Sequence, residues 1–120
     1  MKHNFRDLGI WKDSFAIVKD VYDLCIQLPS EEKYGLKSQI QRCAISIPSN
    51  IAEGCGRKSD KELNQFLSIS LGSAFELETQ IILGYEFGHI DKVIYDNTII
   101  QINEAQKMIS GLQRSLSIQS

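Results

Sequence analysis

Six polar residues carry the most suggestive spacing in this 120-residue chain: Gln39, Arg42, Ser46, Asn50, Glu53 and Arg57, separated by 3, 4, 4, 3 and 4 positions. That rhythm follows the 3.6-residue turn and lines them along one side of a helix. Amides, a hydroxyl, a carboxylate and two guanidinium groups in such a row do hydrogen-bonding and ion-pairing chemistry. The row is either a recognition surface for RNA or a protein partner, or a polar network that fixes a helix seam and a subunit contact. Buried polar groups of this kind set register and partner geometry, and the structural use is the favoured reading. Glu76 and Glu78 are read as partners of these groups. Nothing around them supplies a general base, a nucleophile or an oxyanion site, so the reading is of a protein that is not an enzyme, with no catalytic residue and no cofactor.

Gly54-Cys55-Gly56-Arg57-Lys58-Ser59 superficially resembles a phosphate loop. It lacks the GxxxxGK[ST] spacing, and no strand precedes it. Arg57, Lys58 and Lys61 are nonetheless candidates for an anion or nucleic-acid contact at a helix start, diluted by Asp60 and Glu62. Cys25, Cys43 and Cys55 form no CxxC pair, and His3 and His89 are far apart. No metal site is expected, and the odd cysteine count points to free thiols, with Cys25 and Cys43 in apolar rows.

Four helices must position these groups, at about 10–28, 36–55, 59–86 and 91–115, in one domain spanning residues 1–120. The first carries two apolar rows, one of Trp11, Phe15, Val18, Tyr22 and Cys25 and one of Ile17, Val21, Leu24 and Leu28. Pro29 ends it. The second sets Leu36, Ile40, Cys43, Ile47, Ile51 and Gly54 beside the polar row. Pro48 removes a backbone bond to residue 44 and is expected to kink this helix or split it, with Ser49 or Asn50 capping a restarted segment. Gly54 and Gly56 would supply a left-handed cap.

Ser59-Asp60-Lys61-Glu62 reads as a capping box that opens the third helix. Leu63, Leu67, Leu71, Ala74, Leu77, Ile81 and Tyr85 form its core row, and Gly72-Ser73-Ala74 is a small-residue patch that admits a neighbouring backbone. Asp91 is placed as the N-cap of the fourth helix, whose row is Tyr95, Ile99, Ile102, Ala105, Ile109, Leu112 and Leu116. A Ser-rich end, Ser115 to Ser120, is expected to fray. Short loops between long amphipathic helices favour an all-α, antiparallel up-down-up-down four-helix bundle with a proline-kinked second helix. If helices two and three fold back around residue 58, facing numbers sum to roughly 116. That register would bring Arg42 to Glu76 as a partly buried pair.

Composition agrees with a globular domain: 42% hydrophobic, 23% charged, net charge −2 and pI near 5.6. An acidic chain is weak material for gripping phosphate backbones. The charge is uneven: residues 58–88 carry two basic and five acidic groups, residues 29–57 four basic and three acidic. No apolar run of the ~18 residues that span a bilayer is evident, and the start lacks a signal-peptide pattern. The expectation is a cytoplasmic protein with no membrane contact.

Several blocks carry a resemblance. Glu32-Lys33-Tyr34-Gly35-Leu36, Gln39, Arg42, the run Ser46-Ile47-Pro48-Ser49-Asn50-Ile51-Ala52-Glu53-Gly54 and Gly56-Arg57 are similar to the signature of the bacterial four-helix bundle proteins, also called the 23S rRNA-intervening-sequence protein family. Gly72-Ser73 with Glu76-Leu77-Glu78-Thr79 resembles its second block, and Leu8-Gly9-Ile10-Trp11 its start. The resemblance implies a left-handed bundle that assembles into a homopentamer around a central channel. It suggests a non-enzymatic scaffold or adaptor that binds a protein partner. A related member serves diversity-generating retroelements and implies the alternative, an accessory protein that binds reverse transcriptase and nucleic acid through a basic surface. This chain departs from that pattern by being acidic.

Overall fold

The computed structural model describes residues 4–116; His3 and the Ser-rich end beyond Leu116 lie outside the described residues. Four helices make up the fold: α1, Gly9–Cys25; α2, Leu36–Cys55; α3, Asp60–Glu86; and α4, Lys92–Ser115. Short 3-10 turns at Phe5–Asp7 and Ser30–Glu32 precede α1 and α2. Each long helix packs on two others, α1 on α2 and α4, and α3 on α2 and α4. The result is an all-α four-helix bundle measuring 45 × 26 × 23 Å.

Contacts across the α2–α3 and α3–α4 seams pair rising residue numbers with falling ones. Along α2 and α3 the facing pairs are Cys43 with Glu76, Ser46 with Ser73 and Ile47 with Ser70. Gln106 of α4 meets Glu78 of α3, and Gln113 meets Ser68. Gln101 of α4 meets Asp20 of α1. The core between the helices is aliphatic: Ile17, Val21 and Leu24 from α1, Ile40, Ile47 and Ile51 from α2, Leu67, Leu77 and Ile81 from α3, and Ile102 and Ile109 from α4.

Helix α1 turns its second apolar row inward. The other row lies largely outside: Phe15 and Tyr22 are 49% and 41% exposed, and Trp11 and Val18 only half-buried. Ile10 and Ser14 take the expected core places of that row. Ser14 is fully buried because its hydroxyl donates to the Ile10 carbonyl at 2.6 Å, which satisfies the polar group within its own helix. The helix stops at Cys25, three residues short of the expected end.

Helix α2 runs through Pro48 without a break. The expected restart at Ser49 or Asn50 does not occur, and Asn50 Nδ2 instead donates back to Ser46 one turn earlier in the same helix. The expected left-handed cap is also absent. Gly56 has φ −83°, and the one positive φ among the described residues belongs to Gly88, at 79° in the α3–α4 turn. Gly54 serves a different need. A Cβ there would sit 2.8 Å from Leu63 Cδ1 and 2.9 Å from Phe66 Cβ, so the glycine lets α3 start directly against α2. Gly72 is open, with nothing within 4 Å of a would-be Cβ. The close approach expected around Gly72 is instead made at Gly54 and at Gly84, which lies against Ile90.

Ser59 caps α3, its Oγ accepting from the Glu62 amide at 3.2 Å. The Glu62 carboxylate accepts in turn from the Ser59 hydroxyl at 3.2 Å, where the capping box called for the Ser59 amide. Asp91 occupies the N-cap position of α4 without a side-chain cap bond. At this same end of the bundle, opposite Ser59, Glu32 Oε1 accepts from the Leu36 amide at 3.1 Å and Oε2 lies 3.6 Å from His89 Nε2. One carboxylate thereby joins the start of α2 to the α3–α4 turn.

One helix, α3, contains an 18-residue window long and apolar enough to cross a membrane by length and composition, contrary to the expectation of no such stretch. It is apolar on two sides. Leu63, Leu67, Leu77 and Ile81 face the core, while Ile69, Phe75, Ile82 and Leu83 are exposed.

Candidate functional site

The α2–α3 seam gathers the polar chemistry. Asn50 Nδ2 donates to the Ser46 carbonyl at 2.8 Å and to Ser46 Oγ at 2.9 Å. Ser46 Oγ shares a hydrogen bond of 2.8 Å with Ser73 Oγ. Next to it, the buried Ser70 hydroxyl donates to the Ile47 carbonyl at 2.8 Å. The four side chains form a ladder between two backbones. Each polar atom taken from water is repaid by a partner, which is the condition for such groups to sit in a seam.

A second cluster lies one turn further along. Cys43 Sγ stands 3.8 Å from Glu76 Oε2 and accepts from Gln80 Nε2 at 3.4 Å. Burial pushes the Cys43 thiol up; the Gln80 hydrogen bond opposes this and the Glu76 carboxylate reinforces it. Cys25 is pushed up to about 11 by burial, with Lys37 acting in the opposite sense. Cys55 is likewise raised by burial. All three cysteines are free and buried, so Cys55 is a core residue like the other two. Among the described residues no group of three or more His, Cys, Asp or Glu side chains could hold a metal ion.

The expected polar row divides at the edge of this seam. Ser46 and Asn50 lie inside it. Gln39, Arg42, Glu53 and Arg57 are exposed. Arg42 makes no ion pair among the described residues, so the expected buried Arg42–Glu76 pair is not formed. The residue that meets Glu76 is Cys43, one step further round the helix. The facing numbers of this seam sum to 117–119, close to expectation, so the error lies in the angle around α2 and not in the register along it. Glu78 turns to α4 and accepts from Gln106 Nε2 at 2.8 Å. Arg57 pairs with Glu53 at 3.2 Å and lies over the Phe66 ring at 4.7 Å. Lys58 and Lys61 are exposed at the α2–α3 turn. Ser70, Ser73, Gln80 and Gln106 were missed by sequence reasoning. Ser73 stood within reach, since the fold-back about residue 58 places it within one turn of Ser46.

An apolar groove of about 390 Å³ opens between α1 and α2, lined by Phe5, Trp11, Phe15, Val18, Ile45 and Pro48 together with Ser49 and Ala52. It continues along Val18, Tyr22 and Ile45, edged by Lys19 and Asp23. Trp11 sits between Phe5, edge-on at 5.2 Å between centroids, and Phe15, tilted at 5.1 Å.

Fold and site together define a four-helix bundle with a hydroxyl-amide ladder between its second and third helices. The model of the 23S rRNA-intervening sequence protein family matches residues 6–111, and the chain belongs to that family. Among solved structures it is similar to a protein of unknown function of the S23 ribosomal protein family from Bacteroides thetaiotaomicron VPI-5482. The TM-score is 0.82 at 22% identity, covering 88% of this chain and 98% of that one. No protein of curated function matches.

Proposed function

We propose that the chain is a non-enzymatic, self-assembling bundle that acts as a scaffold or adaptor for a protein partner, its copies joined in a ring. The observation that carries this reading is the aromatic row of α1, half-buried Trp11 with exposed Phe15 and Tyr22, open beside Ile45 of α2. Aromatic side chains left on a surface with an apolar floor are the anchors of protein interfaces. The ladder of Ser46, Asn50, Ser70 and Ser73 supports the same reading, because its Ser46–Ser73 and Ser70–Ile47 bonds hold two helices together and Asn50 braces Ser46 from within α2. The ring, five-membered in the family resemblance, supplies the copy number.

Light scattering coupled to size exclusion, at low and moderate salt and with and without structured RNA, tests this. A multiple of the 13.6 kDa chain mass, insensitive to RNA, is the expected result. A single-chain mass in every condition would sink it.

A second reading is an accessory protein that binds RNA, a ribonucleoprotein or a reverse transcriptase complex. Lys58 and Lys61 favour it, exposed beside the N-terminus of α3 with Arg57 adjacent. Phosphate binding there would weaken steeply with salt, and Lys58→Ala with Lys61→Ala would abolish it. Apolar partner binding would persist in both tests.

A further inference from the structure

The outer side of α4 carries a polar row that neither reading above uses. Asn103, Lys107, Ser110 and Arg114 follow at spacings of 4, 3 and 4, which sets them on one side of the helix. The row holds two cations and no acid. Gln106 and Gln113, on the neighbouring side, turn to α3. Gln106 Nε2 donates to Glu78 at 2.8 Å and Gln113 Nε2 to Ser68 at 2.9 Å, which closes the α3–α4 seam beside the row. Along this edge lies a cleft of about 340 Å³, lined by Gln106, Lys107, Ser110 and Arg114 and, from α3, by Phe75.

The polar groups of the cleft are uncommitted. Among the described residues Arg57 pairs with Glu53 and Lys92 with Asp96, whereas Lys107 and Arg114 join no ion pair. Glu78 is held by Gln106, and Glu104, one turn before Lys107, does not pair with it. Arg114 lies in the last turn of α4 and offsets the negative end of its dipole; Lys107, two turns earlier, has no such use. Ser14, Thr79 and Thr98 turn their hydroxyls back to a carbonyl four residues earlier. The Ser110 hydroxyl makes no such bond and has no partner among the described residues. The Phe75 ring is 52% exposed, and Gly72, one turn before it, has no side chain to cover it.

Each group answers one part of a ligand. An ammonium, a guanidinium fork and a hydroxyl one turn from each suit the oxygens of a phosphate. An open aromatic face takes a planar base by stacking. We propose that this cleft binds a free mononucleotide, its phosphate between Lys107 and Arg114 at the Ser110 hydroxyl and its base on Phe75. The volume of about 340 Å³ is at the small end of ligand sites, roughly 300–1,000 Å³. A strand of RNA needs cations that continue along its path, and here the row runs on from Lys107 to Asn103 and exposed Ile100.

Isothermal titration calorimetry of the full chain with adenosine monophosphate, adenosine and inorganic phosphate tests this, with circular dichroism to check that each variant is folded. Wild type should bind the monophosphate, and should bind adenosine and phosphate each about tenfold or more weakly. Lys107→Gln with Arg114→Gln should lower the affinity for the monophosphate about tenfold or more. Phe75→Ala should lower it too and leave phosphate binding as in wild type. Lys58→Ala with Lys61→Ala, at the α2–α3 turn, should change none of the three titrations. Monophosphate binding that survives Lys107→Gln with Arg114→Gln overturns the assignment, as does a wild type that takes up none at about 5 mM nucleotide. Single-stranded oligoadenylate bound through these residues, with no binding of the monophosphate, overturns it as well and gives the row to the RNA reading. Should Phe75→Ala fail to fold, Phe75→Leu takes its place, since it keeps an apolar side chain and removes the ring.

Discussion

Ser46 Oγ and Ser73 Oγ stand 2.8 Å apart across the α2–α3 seam, and Asn50 Nδ2 reaches the same Ser46 oxygen from 2.9 Å. Removing the shared atom strands the Ser73 hydroxyl and leaves Asn50 Nδ2 with only the Ser46 carbonyl. Ser46→Ala should therefore cost about 1–3 kcal/mol, the desolvation cost of unpaired polar groups, and lower the melting temperature by several degrees. A melting curve superimposable on wild type would show that the ladder contributes nothing to the fold.

Two glycines should respond in opposite directions. Gly54→Ala places a Cβ against Leu63 Cδ1, Phe66 Cβ and the Leu63 carbonyl at 2.8, 2.9 and 3.3 Å. Overpacking of this kind costs about 1–3 kcal/mol. Gly72→Ala meets nothing within 4 Å in the single chain and should add about 0.5–1 kcal/mol through helix propensity. Denaturant midpoints of the two variants should fall on either side of the parent. The same sign for both would refute the packing argument.

Arg42 is exposed and forms no ion pair among the described residues. Arg42→Ala should change stability by less than about 0.5 kcal/mol. A stability loss above about 2 kcal/mol would reinstate a buried arginine pair.

The Cys25 thiol is pushed from 9.0 to about 11 by burial. Native protein should resist alkylation at this position at pH 8, and unfolded protein should react freely. The folded state holds the proton more tightly than the unfolded one. Its contribution is therefore fully present below pH 9, and is lost as pH rises through 9 toward 11. Alkaline melts of wild type and Cys25→Ala should converge in shape below that window and differ within it. Identical slopes throughout would show that the thiol is not linked to folding.

Helices with strong local signals were legible. Ser59 and Glu62 marked the start of α3 because a cap is chemistry between residues three apart. The aliphatic row of α2 was legible because Ile40, Ile47 and Ile51 leave the helix little choice of inward side. The inward side of α1 was not. Its two apolar rows are adjacent, and the deciding residue is Ser14, a polar side chain that buries by bonding its own backbone. The same ambiguity hid Ser70, and it placed Arg42 in the seam instead of Cys43. Periodicity fixes which residues share a side; tens of degrees of rotation decide which side is wet.

Glu32 has a consequence for how the molecule would come apart. Its two carboxylate oxygens tie the first amide of α2 to the α3–α4 turn, and close by Gln27 Oε1 accepts from the Asp91 amide at 3.4 Å. The α2–α3 turn at the opposite end is closed by the Ser59 cap, by Arg57 over the Phe66 ring and by Gln113 reaching Ser68 from α4. Glu32 is thus a clasp at one end of a bundle fastened at both: releasing it with Glu32→Ala should loosen the α3–α4 turn from the start of α2 and leave the α2–α3 hairpin closed.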